Sequence, residues 1–97
     1  MNYDLQNITI EHLIWDDWNI NHISRHDVNR TEIEEVCQSN PVFRDGHSGR
    51  LVVIGLTLKG RMLAVVLDPE TEKGTFYPVT ARPVGKKEKQ NFQKEKG

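Results

Sequence analysis

Arg50-Leu51-Val52-Val53-Ile54-Gly55-Leu56-Thr57-Leu58-Lys59-Gly60-Arg61-Met62-Leu63-Ala64-Val65-Val66-Leu67 holds two apolar runs split by one polar turn. The first run is nearly continuous, β-branched and too short for a typical helix. It predicts a central strand with both faces covered. Lys59-Gly60 reads as a tight turn and Met62 to Leu67 as the second strand of a β-hairpin. A two-residue turn there sets Leu58 opposite Arg61 and Leu56 opposite Leu63. Arg50 then lies eight residues back from Leu58, roughly 26 Å at the rise of a strand. Arg50 and Arg61 therefore belong to opposite ends of the hairpin.

Downstream, Asp68 to Gly74 is a polar loop and Thr75 to Arg82 a third strand. Pro78 cannot donate to a ladder, so that strand is an edge or turns this position outward. Pro83 stops it. Residues 84–95 read as a helix anchored only by Val84 and Phe92, with residues 94–97 fraying. Upstream, alternation from Ile8 to Ile14 predicts a short strand ending near Trp15. Asp16 caps a helix that carries Ile20 and Ile23 through about His26. Asn29 with Glu32 forms one capping-box start for a second helix, and Thr31 with Glu34 a rival. Ile33, Val36 and Cys37 share a face of that helix, which Ser39-Asn40-Pro41 ends. Val42 to Arg44 is a further short strand, and residues 45–49 are loop. The order is two helices, an antiparallel strand meander and a basic C-terminal helix. That is an α+β fold with helices against one sheet, in a single domain over residues 1–97 with its core at about 9–92.

Composition narrows the function classes. At 28% charged and 36% hydrophobic residues the chain suits a globular domain. No run approaches the ~18 apolar residues of a membrane span, and none reads as a signal peptide. Cys37 is the single cysteine, so no internal disulfide is possible and a reducing cytoplasm is expected. Cys37 itself reads as a small buried hydrophobe rather than a nucleophile. Residues 1–45 carry nine acids and three bases, whereas residues 46–97 carry ten bases and five acids. The basic excess gathers at Lys59, Arg61, Arg82 and the tail, which suits nucleic acid or an acidic partner. If the strands form a simple meander, Lys59, Arg61 and Arg82 meet at one end of the sheet beside the basic helix. His47 and Arg50 stand near the other end. Taken singly each arginine is a solvated rim residue; three together suit phosphate.

His22 and His26 are four apart and would share a helix face. No acid, histidine or cysteine lies at a spacing that completes a recognised metal site, so no metal and no cofactor is expected. One histidine packs or caps while the other is exposed, or one transfers protons. Trp15 and Trp18 read as core anchors. There is no phosphate-cradling glycine loop and no nucleophile elbow.

Read together, these pieces resemble the BrnT toxins of bacterial type II toxin–antitoxin systems. The first block is Trp15-Asp16 followed by His22-Ile23-Ser24-Arg25-His26-Asp27-Val28. The second is Arg50, Val52-Val53-Ile54-Gly55, Gly60-Arg61 and the Leu63 to Val66 strand. The third is Val79-Thr80-Ala81-Arg82 leading to Lys86-Lys87-Glu88-Lys89 and Phe92. The resemblance covers roughly residues 13–92, in the order and spacing of the blocks rather than in any one motif. The chain departs from the pattern at Arg25, where members often have lysine, and at Asp27, where they have glycine. Ser48-Gly49 replaces the acid that commonly precedes the first-strand arginine, and Leu56 stands where many members have a basic residue.

The resemblance implies a RelE-like fold and a metal-independent endoribonuclease that cleaves RNA and inhibits translation. It also implies a BrnA-like ribbon-helix-helix antitoxin as partner, with operon DNA reached only through that antitoxin. The reaction is attack of the ribose 2′-hydroxyl on the adjacent phosphate, which needs cations and proton-transfer groups. By this reading Arg61 and Arg82 are the catalytic cations. His26, His47 and Tyr77 are the proton-transfer candidates. Lys59 guides the RNA backbone, and Lys86, Lys87 and Lys89 guide RNA or lie under the antitoxin. Arg50 is a distal RNA contact or a structural residue. The alternative is a catalytically degenerate module that binds RNA or antitoxin on the same fold.

Overall fold

The computed structural model describes residue 5 and residues 7–90. Its elements are β1 (His12–Leu13), α1 (Asp17–Ser24), α2 (Arg30–Gln38), β2 (Val42–Asp45), a 3-10 turn (His47–Gly49), β3 (Leu51–Leu56), β4 (Met62–Pro69) and β5 (Thr75–Pro83). Residues 86–90 are helical. The expected Phe92 anchor and the fraying end lie outside the described residues. The architecture is α+β as expected, and β2 to β5 form the antiparallel meander. The sheet order is β1-β5-β4-β3-β2, and β1 joins β5 in parallel, so the sheet is mixed. The expected strand through Trp15 shrinks to two residues. Ile8, Ile10 and Leu13 pack on the core while Ile14 is exposed, which breaks the strict alternation.

Capping chemistry positions both helices. Asp16 accepts from the Asn19 N–H and Asn19 Oδ1 accepts from the Asp16 N–H, each at 2.9 Å. The α1 helix ends at Ser24, two residues before the expected His26. Asp27 turns to φ 58, and its N–H and that of Val28 return to the carbonyls of Ser24 and Ile23. This is a Schellman-type stop, with Val28 closing on Ile23 in the core. Asn29 starts α2 rather than Thr31. Glu32 N–H donates to Asn29 Oδ1 at 2.9 Å, and Asn29 N–H to Glu32 Oε1 at 3.0 Å.

The helices cover one face of the sheet, here the back face. Ile23, Ile33 and Val36 meet Leu51, Val53, Leu63, Val65, Leu67 and Ala81 there, all fully buried. Alternation turns Val52, Ile54, Ala64, Val66 and Arg82 to the front face. The expectation that β3 is covered on both faces is therefore corrected. Its odd-numbered residues lie under the helices, while Val52 and Ile54 are only half-buried and Leu56 is 42% exposed. Gly55 is what lets the end of α2 approach β3. A Cβ there would meet Ser39 Oγ at 2.7 Å and Pro41 Cβ at 3.0 Å.

The hairpin register also differs from expectation. Leu56 pairs with Met62, and Gly55 with Leu63. The loop has three residues, Leu58 to Gly60. Thr57 accepts from the Gly60 N–H, Gly60 takes φ 85, and Thr57 N–H donates to Arg61 O. That geometry is a type I turn closed by a left-handed glycine, which shifts pairing by one residue from a two-residue turn. In β5, Val66 pairs with Thr80 but Leu67 with Pro78, so Val79 is bulged. Pro78 is buried rather than turned outward. The strand is interior where β1 flanks Thr75 and Phe76, but Pro78 lies past the end of β1, where its missing donor breaks no ladder.

Trp18 corrects another expectation. It is 56% exposed, whereas Trp15 packs against the core and donates Nε1 to Glu34 Oε2 at 3.3 Å. Cys37 is half-buried against the core, and desolvation, with Glu34 nearby, pushes its thiol up to about 12. No helix among the described residues is long and apolar enough to cross a membrane.

Candidate nucleic-acid interface

The sheet separates the two arginines that the sequence places together. Both stand at the hairpin-turn end. Arg61 precedes Met62, and Arg82 pairs with Ala64. Arg61 reaches the back side, where Nη1 donates to Asp27 O at 2.6 Å and to the Glu32 carboxylate at 3.1 and 3.2 Å. Its second terminal nitrogen lies 4.0 Å from Asp27 Oδ2. Glu32 also caps α2, so Arg61 ties the hairpin turn to the α1–α2 junction. Arg82 follows the buried core residue Ala81 and so takes the front face. One phosphate cannot bridge this pair, and the expected Arg61–Arg82 cluster is corrected on that ground.

Arg82 is half-exposed and gives its whole fork to Glu88, with Nη1 to Oε1 at 2.9 Å and Nη2 to Oε2 at 3.1 Å. The hydrogen bond to Glu88 raises the guanidinium further above its ordinary value, and the bond from Arg82 holds the Glu88 carboxyl below its own. Glu88 lies in the helical residues 86–90, so the basic helix begins on the front face beside Arg82. Lys86 and Lys87 are exposed there, and Lys89 is half-buried.

Arg50 belongs with Arg82 rather than apart from it. It sits one step beyond the Leu51–Leu67 pair and crosses to Asp68, Nε to Oδ1 at 3.0 Å. Its residue parity matches Val52 and Val66, which places it on the front face. Arg50 and Arg82 are separated by four residue steps and two strand spacings, roughly 16 Å between backbones. Two extended arginine side chains can approach one phosphodiester across that span. Thr80 lies between them, paired with Val66. His47 stands at the rim, in the turn that leads into Arg50. Asp45, His47, Arg50, Val52, Val66 and Thr80 line a groove of about 500 Å³. Arg50 and Arg61 remain at opposite ends of the hairpin.

The other candidates fall elsewhere. His26 is exposed in the turn after α1, next to Asp27 and on the Arg61 side. Its ring meets His22 edge-on at 6.1 Å, and His22 lies flat on Trp18 at 4.7 Å. Tyr77 donates its hydroxyl to both Asp16 oxygens, at 3.0 and 2.9 Å. Desolvation and then the Asp16 carboxylate raise the phenol above its ordinary value, which sets it as a helix-cap partner rather than a ready base. The Asn19 N–H holds Asp16 below the usual carboxylate range, with Tyr77 adding to it. Lys59 is exposed at the hairpin tip. Among the described residues, no three His, Cys, Asp or Glu side chains gather as a metal-binding group.

Sequence reasoning missed Glu88 and Asp68, which hold Arg82 and Arg50 on the front face, and Asn19, which is fully buried. Asn19 Nδ2 donates to Ile14 O and Pro78 O, both at 3.0 Å, and so pins α1 to β5. Asp68 could have been found from strand pairing once the hairpin register was known. No family model, no curated protein and no solved structure matches this chain.

Proposed function

We propose that this protein is the toxin of a type II toxin–antitoxin pair on a RelE-like fold, a metal-independent endoribonuclease whose RNA lies across the front face. The observation that carries this reading is the sharing of one sheet face by Arg50, Thr80 and Arg82, with His47 at the rim and the basic helix beginning beside them. The left-handed Asp27, at the position where the resembling family has glycine, supports it too. So does Gly55, in the Val52 to Gly55 block, where a side chain would strike α2.

On this reading the scissile phosphate sits against Arg82, and Arg50 contacts the RNA farther along the same face. The Arg82 guanidinium stabilises the charge that develops as the 2′-hydroxyl attacks. Arg82 is released from Glu88 as RNA binds. Lys86 and Lys87 contact flanking phosphates, which position the chain without reading sequence. His47 is the proton-transfer candidate on this face. Arg61 serves the fold on the back side, and His26 stands on that side, away from the RNA. The partner is a BrnA-like antitoxin that covers the basic helix.

Induced expression of the chain alone should arrest growth and fragment cellular RNA, and Arg82→Ala should abolish both. Intact RNA on expression of the folded wild-type chain contradicts cleavage. A second reading, a module that binds RNA or antitoxin without cutting, is favoured by the Glu88 carboxylate already filling the Arg82 fork. Purified protein that retains RNA but leaves it whole selects that reading.

A further inference from the structure

We infer that the groove between the His47 turn and Thr80 is a nucleobase pocket, which seats one unstacked base of a single-stranded RNA. This inference rests on the RNA reading above and goes beyond it in assigning a base-reading function to residues away from Arg82. Three features carry it. The floor is apolar and half-buried, built from the cross-strand pair Val52 and Val66. The lining also carries both donors and acceptors, from Asp45, His47, Arg50 and Thr80. A mixed polar lining with an apolar floor fits a flat heteroaromatic ring, whose edge carries both kinds of group, better than a bare anion.

The third feature is the state of Arg50. Its ion pair with Asp68 uses Nε, and among the described residues its terminal nitrogens have no partner. Asp68 thus fixes the guanidinium while leaving its fork to a ligand. Arg82 differs, since both of its terminal nitrogens are taken by Glu88. An arginine fork matches the O6 and N7 acceptors of guanine, so guanosine 5′-monophosphate is the appropriate probe. The groove of about 500 Å³ has room for a nucleoside.

The test follows the methyl resonances of Val52 and Val66 in the full chain during titration with guanosine 5′-monophosphate. Ribose 5-phosphate is the control for an anion alone. The inference expects saturable shifts with the nucleotide and none with the sugar phosphate. Arg50→Gln should weaken binding about tenfold, and Thr80→Val about fivefold, each with an otherwise unchanged methyl spectrum. If Arg50→Gln unfolds the chain, the Thr80→Val arm stands alone. Unmoved methyls, or equal shifts with ribose 5-phosphate, overturn the pocket. Cleavage of RNA through Arg82 without any nucleotide effect on these methyls overturns the pocket alone. Nucleotide binding with intact cellular RNA keeps the pocket and overturns the cleavage reading.

Discussion

The two faces of one sheet solve different problems with the same residue type. On the back face Arg61, 31% exposed, is locked by a carboxylate and a backbone carbonyl that belong to the α1–α2 junction. On the front face Arg82, 53% exposed, is held by one carboxylate from the helical residues 86–90. The first partner set is woven into the capping of α2; the second is a single exposed ion pair, which on the proposed reading gives way to RNA. The difference teaches that an arginine's partners, more than its place along the chain, decide whether it is tied into the fold.

The largest effect should come from the buried polar link on the back side. Asn19→Leu removes a cap and leaves two carbonyls unpaired. It should cost about 3 kcal/mol in urea unfolding, from one lost cap and the desolvation of unpaired groups. A loss below about 1 kcal/mol would mean that water replaces the side chain. Next, Gly55→Ala forces α2 away from β3 and should cost about 1–3 kcal/mol. Neutral thermal stability in that variant would show that α2 can shift freely. Arg61→Ala should then lower stability by about 1–3 kcal/mol, since Glu32 and Asp27 lose a charged donor. Its effect on RNA should follow its unfolding.

Arg82→Ala should change stability by less than about 1 kcal/mol, as exposed ion pairs do, while RNA cleavage is lost. The smallest effect concerns pH. Glu88 has a folded value below the ordinary 4.5 because Arg82 hydrogen-bonds to it. Its anchoring of residues 86–90 is complete above 4.5 and is lost as pH falls through the depressed folded value. Amide exchange in this segment should rise in acid while the β3 and β4 amides stay protected. Uniform exchange across both would refute a local latch.

Much of the fold was legible in sequence because periodicity and caps are local. The β-branched run of β3, the Asp16 cap and the Asn29–Glu32 box each need only a few neighbouring residues. The site was less legible because it depends on face, and face depends on register. Leu58 joins the hairpin loop and Val79 adds a bulge, and neither shift is written in apolar patterning. Arg61 and Arg82 could be placed at the same end from strand order. Their opposite faces required knowing that Leu63 and Ala81 both pack under the helices. Trp18 was misplaced for a related reason, since its ring found His22 on the outer side of α1.

The most direct measurement pairs thermal melting with RNA integrity after induced expression, for Arg61→Ala and Arg82→Ala side by side. A functional front face predicts that Arg82→Ala melts like the parent and leaves RNA intact, while Arg61→Ala melts lower. An Arg82→Ala chain that still fragments RNA, or a fully stable Arg61→Ala chain that has lost cleavage, would contradict it.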